Sequence, residues 1–210
     1  MPTPLEKARK DPESMKAKIL FAARDLFAEY GYHGVTTRMI AKEVGIDIST
    51  LHYHWGDKEA LYEAVIEDLT DEIEDKLREI EGIVHGRSLA YRLEVAIDLM
   101  CDYLFAQPAV AKLVMCSHFL KTRASAVLDE RLFKQVSNIA IAMGLAPDKN
   151  DVSATANARV LAVSNAIYCF TAGQDFLRTI LKVDQEEYQR VIRETLKFIL
   201  IPAFTQDQEN

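Results

Sequence analysis

Glycine and proline are scarce, eight and six in 210 residues. That shortage argues against turn-dense β architecture and against a disordered, low-complexity chain. Cysteine is scarcer. Cys101, Cys116 and Cys169 are odd in number, far apart and without a CxxC pair, so neither a disulfide framework nor a thiolate zinc site is indicated; all three are expected as small buried thiols. No apolar run reaches the roughly 18 residues needed to span a bilayer, and the N-terminus shows no basic stretch followed by an apolar one. The expected location is cytoplasmic, with no membrane partner. The catalytic signatures GxSxG, HExxH, GxxxxGK[ST] and GxGxxG are missing too, so an enzyme is not expected and no cofactor is implied.

Hydrophobic residues make up 49% of the chain and charged ones 27%, a balance that fits a helix-rich globular protein with a core of its own. The net charge of −7 disfavours indiscriminate nucleic-acid binding by the whole chain. Its distribution is uneven. Residues 1–58 hold nine Lys/Arg and eight Asp/Glu, a net +1, and the remainder carries −8, so a polyanion would be met by the N-terminal quarter.

Apolar periodicity predicts an all-α fold. From Pro12 to Gly31, Ile19, Ala23, Leu26, Phe27 and Tyr30 mark one helix, closed by YGYHG. Thr36 stands as N-cap of a short helix bearing Ile40, Ala41 and Val44, which Gly45 ends in a left-handed turn. Asp47 or Ser49 caps a third short helix containing Leu51. Lys58 then opens a long fourth, with Leu61, Val65, Leu69, Ile73, Leu77 and Ile80 on one face. Further helices are predicted near 88–106, 108–122, 124–143, 151–182 and 184–203.

The unusual stretch is DISTLHYHWGDK, residues 47–58. Serine, threonine, two histidines, tyrosine and lysine rarely fill a core together. A short helix, a glycine turn and a second short helix with a polar outer side is the helix-turn-helix layout. Short donors and acceptors flanked by flat rings suit base edges, phosphates and sugars. Ile48, Ser49, Thr50, Tyr53 and His54 can supply such contacts, while Leu51 and Trp55 are expected to face the core. The HYH triplet is not read as a metal site, because positions i and i+2 of a helix point to different sides. A protein-interaction module would instead leave residues 36–58 as a solvated face.

VTTRMIAKEVGIDISTLHYHWGDKEAL, residues 35–61, with FAEYGYHGVTT leading into it, resembles the DNA-binding signature of the TetR family of transcriptional regulators, without gaps from Phe27 to Leu69. The resemblance implies that Thr37 and Arg38 hold phosphates and that Ile48, Ser49 and Thr50 face bases or their flanking phosphates. It places Tyr53 and His54 on the DNA backbone and Lys58 at a helix N-terminus where a phosphate can sit. His52 replaces the usual tyrosine and Trp55 the usual phenylalanine, which puts the phosphate contact of His52 in question and keeps the packing role of Trp55.

The family implies an N-terminal three-helix helix-turn-helix domain, here residues 1–58, and a C-terminal helical ligand-binding and dimerisation domain, residues 59–210. Its expected partners are a palindromic double-stranded DNA operator, a small-molecule effector and a second copy docked through the last two helices. The expected function is a ligand-responsive regulator, a repressor released by a largely apolar molecule. The segment LMCDYLFAQPAVAKLVMCSHFLK mixes apolar residues with a few polar ones. Asp102, Tyr103, Cys116 and His118 are its candidate ligand-binding residues, joined by Asn165 and Tyr168 from a later helix.

Overall fold

A computed structural model describes residues 2–123 and 125–205, with side chains left aside at 125–128. Among these residues there are eleven helices and no strand. They are α1 (Pro4–Lys10), α2 (Met15–Gly34), α3 (Thr37–Val44), α4 (Ile48–Trp55), α5 (Lys58–Val84), α6 (Leu89–Ala106), α7 (Pro108–Ser117), α8 (Ser125–Ala142), α9 (Ala154–Ala172), α10 (Gln174–Leu181) and α11 (Gln185–Thr205). The fold is all-α, as the periodicity requires. No single helix among the described residues is long and apolar enough to cross a membrane.

The first four helices pack around α2, whose Ile19, Leu20, Ala23 and Phe27 are buried. Leu26 is half-buried and Tyr30 exposed, so the predicted face narrows toward the end of α2. There Gly31, at φ 68°, kinks the helix. The cap positions follow the sequence closely. Thr36 Oγ1 accepts from Met39 N at 3.2 Å, and Gly45 at φ 75° turns the chain from α3 to α4 while its N–H reaches the carbonyls of Ala41 and Lys42. A side chain there meets no neighbour within 4 Å, so the demand for glycine is one of backbone conformation, about 1–2 kcal/mol.

α5 packs against α2 and α4 near its start and against α6, α7 and α8 along its length, so one rigid helix touches both groups of elements. Its buried stripe is Leu61, Val65, Leu69, Ile73 and Ile80, with Leu77 half-buried. Further on, α7 lies on α9 and α6 on α11.

Three boundaries differ from expectation. α1 was not anticipated: Thr3 caps it, accepting from Glu6 N while Glu6 returns a bond to Thr3 N, with Pro4 at the first turn. α7 stops at Ser117, not near residue 122. The helix expected over 151–182 breaks at Gly173, which closes α9 with its N–H on the carbonyl of Cys169 at 3.0 Å and precedes α10. Only Cys101 is a buried thiol; Cys116 and Cys169 are exposed, contrary to the expectation of three buried thiols.

Candidate functional site

α4 is divided sharply into two faces. Leu51 is fully buried and Trp55 nearly so, and Trp55 is further fixed by its indole N–H, which donates to the carbonyl of Lys16 at 3.2 Å. Ser49, His52 and Tyr53 are exposed on the other side, with Ile48, Thr50 and His54 half-buried at its edges. Tyr53 is 84% exposed, an arrangement that leaves a large amphipathic ring in water until a partner covers it.

The polar side chains on this surface are oriented. His52 Nδ1 lies 2.5 Å from the carbonyl oxygen of Gly56. A carbonyl only accepts, so Nδ1 carries the proton and Nε2 is the ring atom left for another partner. His54 sits against Lys16, whose ammonium donates to the His54 carbonyl at 3.0 Å and stands 3.2 Å from its Nδ1. Desolvation first, then the Lys16 charge, holds the His54 imidazole below its usual range. Tyr53 and His54 meet edge-on, with ring centres 5.1 Å apart. On α3, Thr37 is half-buried and Arg38 exposed, and Arg38 forms no ion pair among the described residues.

Lys58 is placed differently from the expectation of a free phosphate ligand. Its ammonium donates to the carbonyls of Tyr32 at 2.9 Å and Val35 at 3.0 Å and lies 4.2 Å from the Tyr32 ring centre. The turn leaving α2 presents two open carbonyls and an aromatic face, and the lysine ties that turn to the start of α5. The N-cap of α5 is Asp57, which accepts from Ala60 N at 2.8 Å and pairs with Arg123. These contacts, the amide first, hold the Asp57 carboxyl below its usual range.

A profile of bacterial regulatory proteins of the tetR family matches residues 19–65. That segment runs from α2 through the two-faced α4 into α5. The segment is that of a TetR-family transcriptional regulator. The regulator UidR of Escherichia coli strain K12 is similar over 154 residues at 27% identity, covering 73% of this chain and 76% of UidR. RutR of the same organism is 41% identical over 56 residues, 27% of this chain and 26% of RutR. Among solved structures, the ketosteroid transcriptional regulator KstR2 of Mycobacterium tuberculosis shares the fold with a TM-score of 0.65 at 16% identity, covering 90% of this chain and 94% of that one. As a TetR-family regulator, the protein is a DNA-binding protein and not an enzyme.

Behind the α5 stripe of this TetR-family chain lies a cavity of about 860 Å³, walled by α5, α6, α7, α8 and α9. Its walls are mainly apolar, with Ile66, Leu77, Ile97, Met100, Val136 and Ile139 among them. Of the six anticipated ligand residues, His118, Asn165 and Tyr168 line it. Desolvation holds the His118 imidazole below its usual range and pushes the Tyr168 hydroxyl up to about 12.

Asp102, Tyr103 and Cys116 are not on the cavity wall. Asp102 faces α11 and pairs with Arg193 at 2.5 Å. Tyr103 donates to Glu72 at 3.1 Å, joining the carboxylate that Arg24 of α2 grips at 2.6 and 3.1 Å. Cys116 is exposed. Sequence reasoning missed the charged part of the wall. Arg131 pairs with Asp71 and, at 3.0 Å, with Glu74, and Arg92 holds Glu81 at 2.9 Å. Arg9 of α1 reaches the same α5 surface, pairing with Asp68 at 2.7 Å and Asp71 at 2.6 Å, so Asp71 is shared between α1 and α8.

Proposed function

We propose that the protein is a ligand-responsive repressor that binds a palindromic operator as a dimer and is released by a largely apolar small molecule, acting in the cytoplasm. Residues 1–58 form its DNA-binding domain and residues 59–210 its ligand-binding and dimerisation domain. The observation that carries the reading is the two-faced α4, with Leu51 and Trp55 buried against the exposed Ser49, His52 and Tyr53. Such a helix enters a major groove with its polar side forward. In this reading Ile48, Ser49, Thr50 and the free Nε2 of His52 address bases or their flanking phosphates. Tyr53, His54, Thr37 and Arg38 hold the backbone, and Lys58 acts from behind by fixing the turn before α3.

A palindrome requires two-fold symmetry in the protein. α10 and α11 carry an apolar face that no described residue covers, where Phe176 is 70% and Phe198 80% exposed, with Ile180 and Ile199 also exposed. Burying such a patch against a second copy is the ordinary reason for its existence. On the ligand side, the apolar walls favour an apolar body, and the internal pairing of Arg92 and Arg131 disfavours a multiply charged one.

Occupation of the cavity shifts α5, which also bears on α2 and α4, and so alters the separation of the two recognition helices. Half-sites lie about 34–36 Å apart on B-DNA, so a splayed dimer engages one at a time. The coupling must be reciprocal. Apolar compounds that lower operator affinity are expected to bind the operator complex more weakly by the same factor, measured by titration with and without the duplex. Equal ligand affinity in both titrations removes the coupling.

A further inference from the structure

Leu161, Ser164, Asn165 and Tyr168 stand at i, i+3, i+4 and i+7 along α9, the spacing of one helix face, and all four line the cavity. Each is half-buried. The Tyr168 hydroxyl and the Asn165 carboxamide form no hydrogen bond among the described residues. Neither belongs to the side-chain atoms sealed from solvent without a partner, which lie on Tyr62, Ser137, Asn157 and Arg193. Both groups therefore border open space, and the space beside this face is the cavity. The position is deep, since desolvation alone pushes the Tyr168 hydroxyl up to about 12. Polar ends left unpaired in such a place are a cost that folds normally avoid.

Other polar groups of the wall have partners. Thr70 donates to the Ile66 carbonyl and Ser117 to that of Val114, each at 2.8 Å. Of the cations around the cavity, Arg92 and Arg131 are held by carboxylates, while Arg78, Lys121 and Lys134 are exposed to water. The α9 face thus offers dipoles without a counter-charge, because Tyr168 keeps its proton at neutral pH and a carboxamide carries no charge. A carboxylate pressed against it would be buried unpaired, which costs far more than an uncharged oxygen in the same place.

We propose that this face of α9 is the polar anchor of the cavity, the Tyr168 hydroxyl and the Asn165 amide donating hydrogen bonds to an uncharged oxygen, such as a ketone or ester, on an otherwise apolar ligand. Side chains three positions apart on a helix are separated by about 5–6 Å at Cβ, so both can reach one carbonyl oxygen. The proposal rests on the reading of the cavity as an effector site, and it names the chemistry of that effector. A neutral acceptor lies against α9, and the apolar body falls to side chains such as Leu77 of α5 and Ile97 of α6.

The test measures 2-acetylnaphthalene, 2-ethylnaphthalene and 2-naphthoate by equilibrium dialysis against the full chain and its Tyr168→Phe and Asn165→Leu variants. The probes share one skeleton and carry a neutral acceptor, no acceptor and a charged one. The ratio of ketone to hydrocarbon affinity is expected to fall about tenfold in each variant, and naphthoate is expected to bind the parent more weakly than the ketone. Phenylalanine keeps the ring and removes only the unpaired hydroxyl, so the ligand-free Tyr168→Phe protein is expected to melt no lower than the parent. An unchanged ratio in either variant, tighter binding of naphthoate than of the ketone, or a clearly lower melting point for Tyr168→Phe overturns the anchor on α9. Failure of both neutral probes to bind the parent protein at saturation overturns the effector-site reading itself.

Discussion

A protein carrying alanine at both Thr50 and Tyr53 is expected to bind its operator about a thousandfold more weakly while folding as well as the parent. Tyr53 is 84% exposed and Thr50 half-buried, and neither contributes a hydrogen bond to the structure described above. Exposed substitutions of this kind change stability by less than about 0.5 kcal/mol, and alanine favours the helix. The cost falls on the complex. A lost base or backbone contact is worth about 1–3 kcal/mol, and a symmetric dimer loses each contact at both half-sites. Four lost contacts at about 1 kcal/mol each give roughly 4 kcal/mol, which is the thousandfold. Fluorescence anisotropy with a labelled operator reads this directly, and unchanged emission from Trp55, the single tryptophan, confirms the fold. Weak, salt-sensitive binding to unrelated duplexes, which the proposed function assigns to phosphate contacts from cations such as Arg38, is expected to persist.

Phe27→Ala is the second large expected effect, and it acts on stability. Phe27 is fully buried, with Tyr62 edge-on at 5.1 Å and Tyr32 stacked at 6.1 Å. Removing the ring opens a cavity under three helices, and aromatic-to-alanine changes in such places cost about 3–5 kcal/mol. The rings of Tyr32 and Tyr62 cannot collapse freely into the gap, because Tyr32 is held under Lys58. Urea unfolding followed by Trp55 fluorescence, at one fixed protein concentration so that the proposed dimerisation affects parent and variant alike, measures the loss. Phe21→Ala on the same helix provides the contrast. Phe21 is 48% exposed, so its removal is expected to shift the midpoint little.

The N-terminal elements were written locally, which is why the sequence discloses them. The Thr36 cap, the left-handed Gly45 and the alternation of Leu51 and Trp55 with polar residues are all signals within a few positions of one another. α1 was equally legible, since Thr3, Pro4 and Glu6 make a capping box with proline at the first turn; the pattern was there to be read. The break at Gly173 is fainter, because one glycine in an apolar run is compatible with an uninterrupted helix.

Residues whose role depends on distant partners were beyond local reading. Nothing near Lys58 announces that carbonyls 26 and 23 positions earlier will claim its ammonium. The same holds for Asp102, which Arg193 of α11 draws to the outer surface, and for Tyr103, which Glu72 takes up. The cavity is the extreme case. Its wall is assembled from five helices, and Tyr168 reads in sequence no differently from Tyr103. Only the folded chain separates the two, by leaving the Tyr168 hydroxyl unpaired among the described residues, on a helix face that lines the cavity.

The central claim, that the outward face of α4 reads a major groove twice over in a symmetric dimer, is tested most directly by selecting binders from a random duplex library. The parent protein and the Thr50→Ala, Tyr53→Ala double variant are carried through the selection in parallel. The expected result is an inverted repeat enriched by the parent, with half-site centres one helical turn or a small multiple of it apart, and no such enrichment by the variant. Enrichment of the same sequence by both proteins, or of none by the parent, would contradict the account.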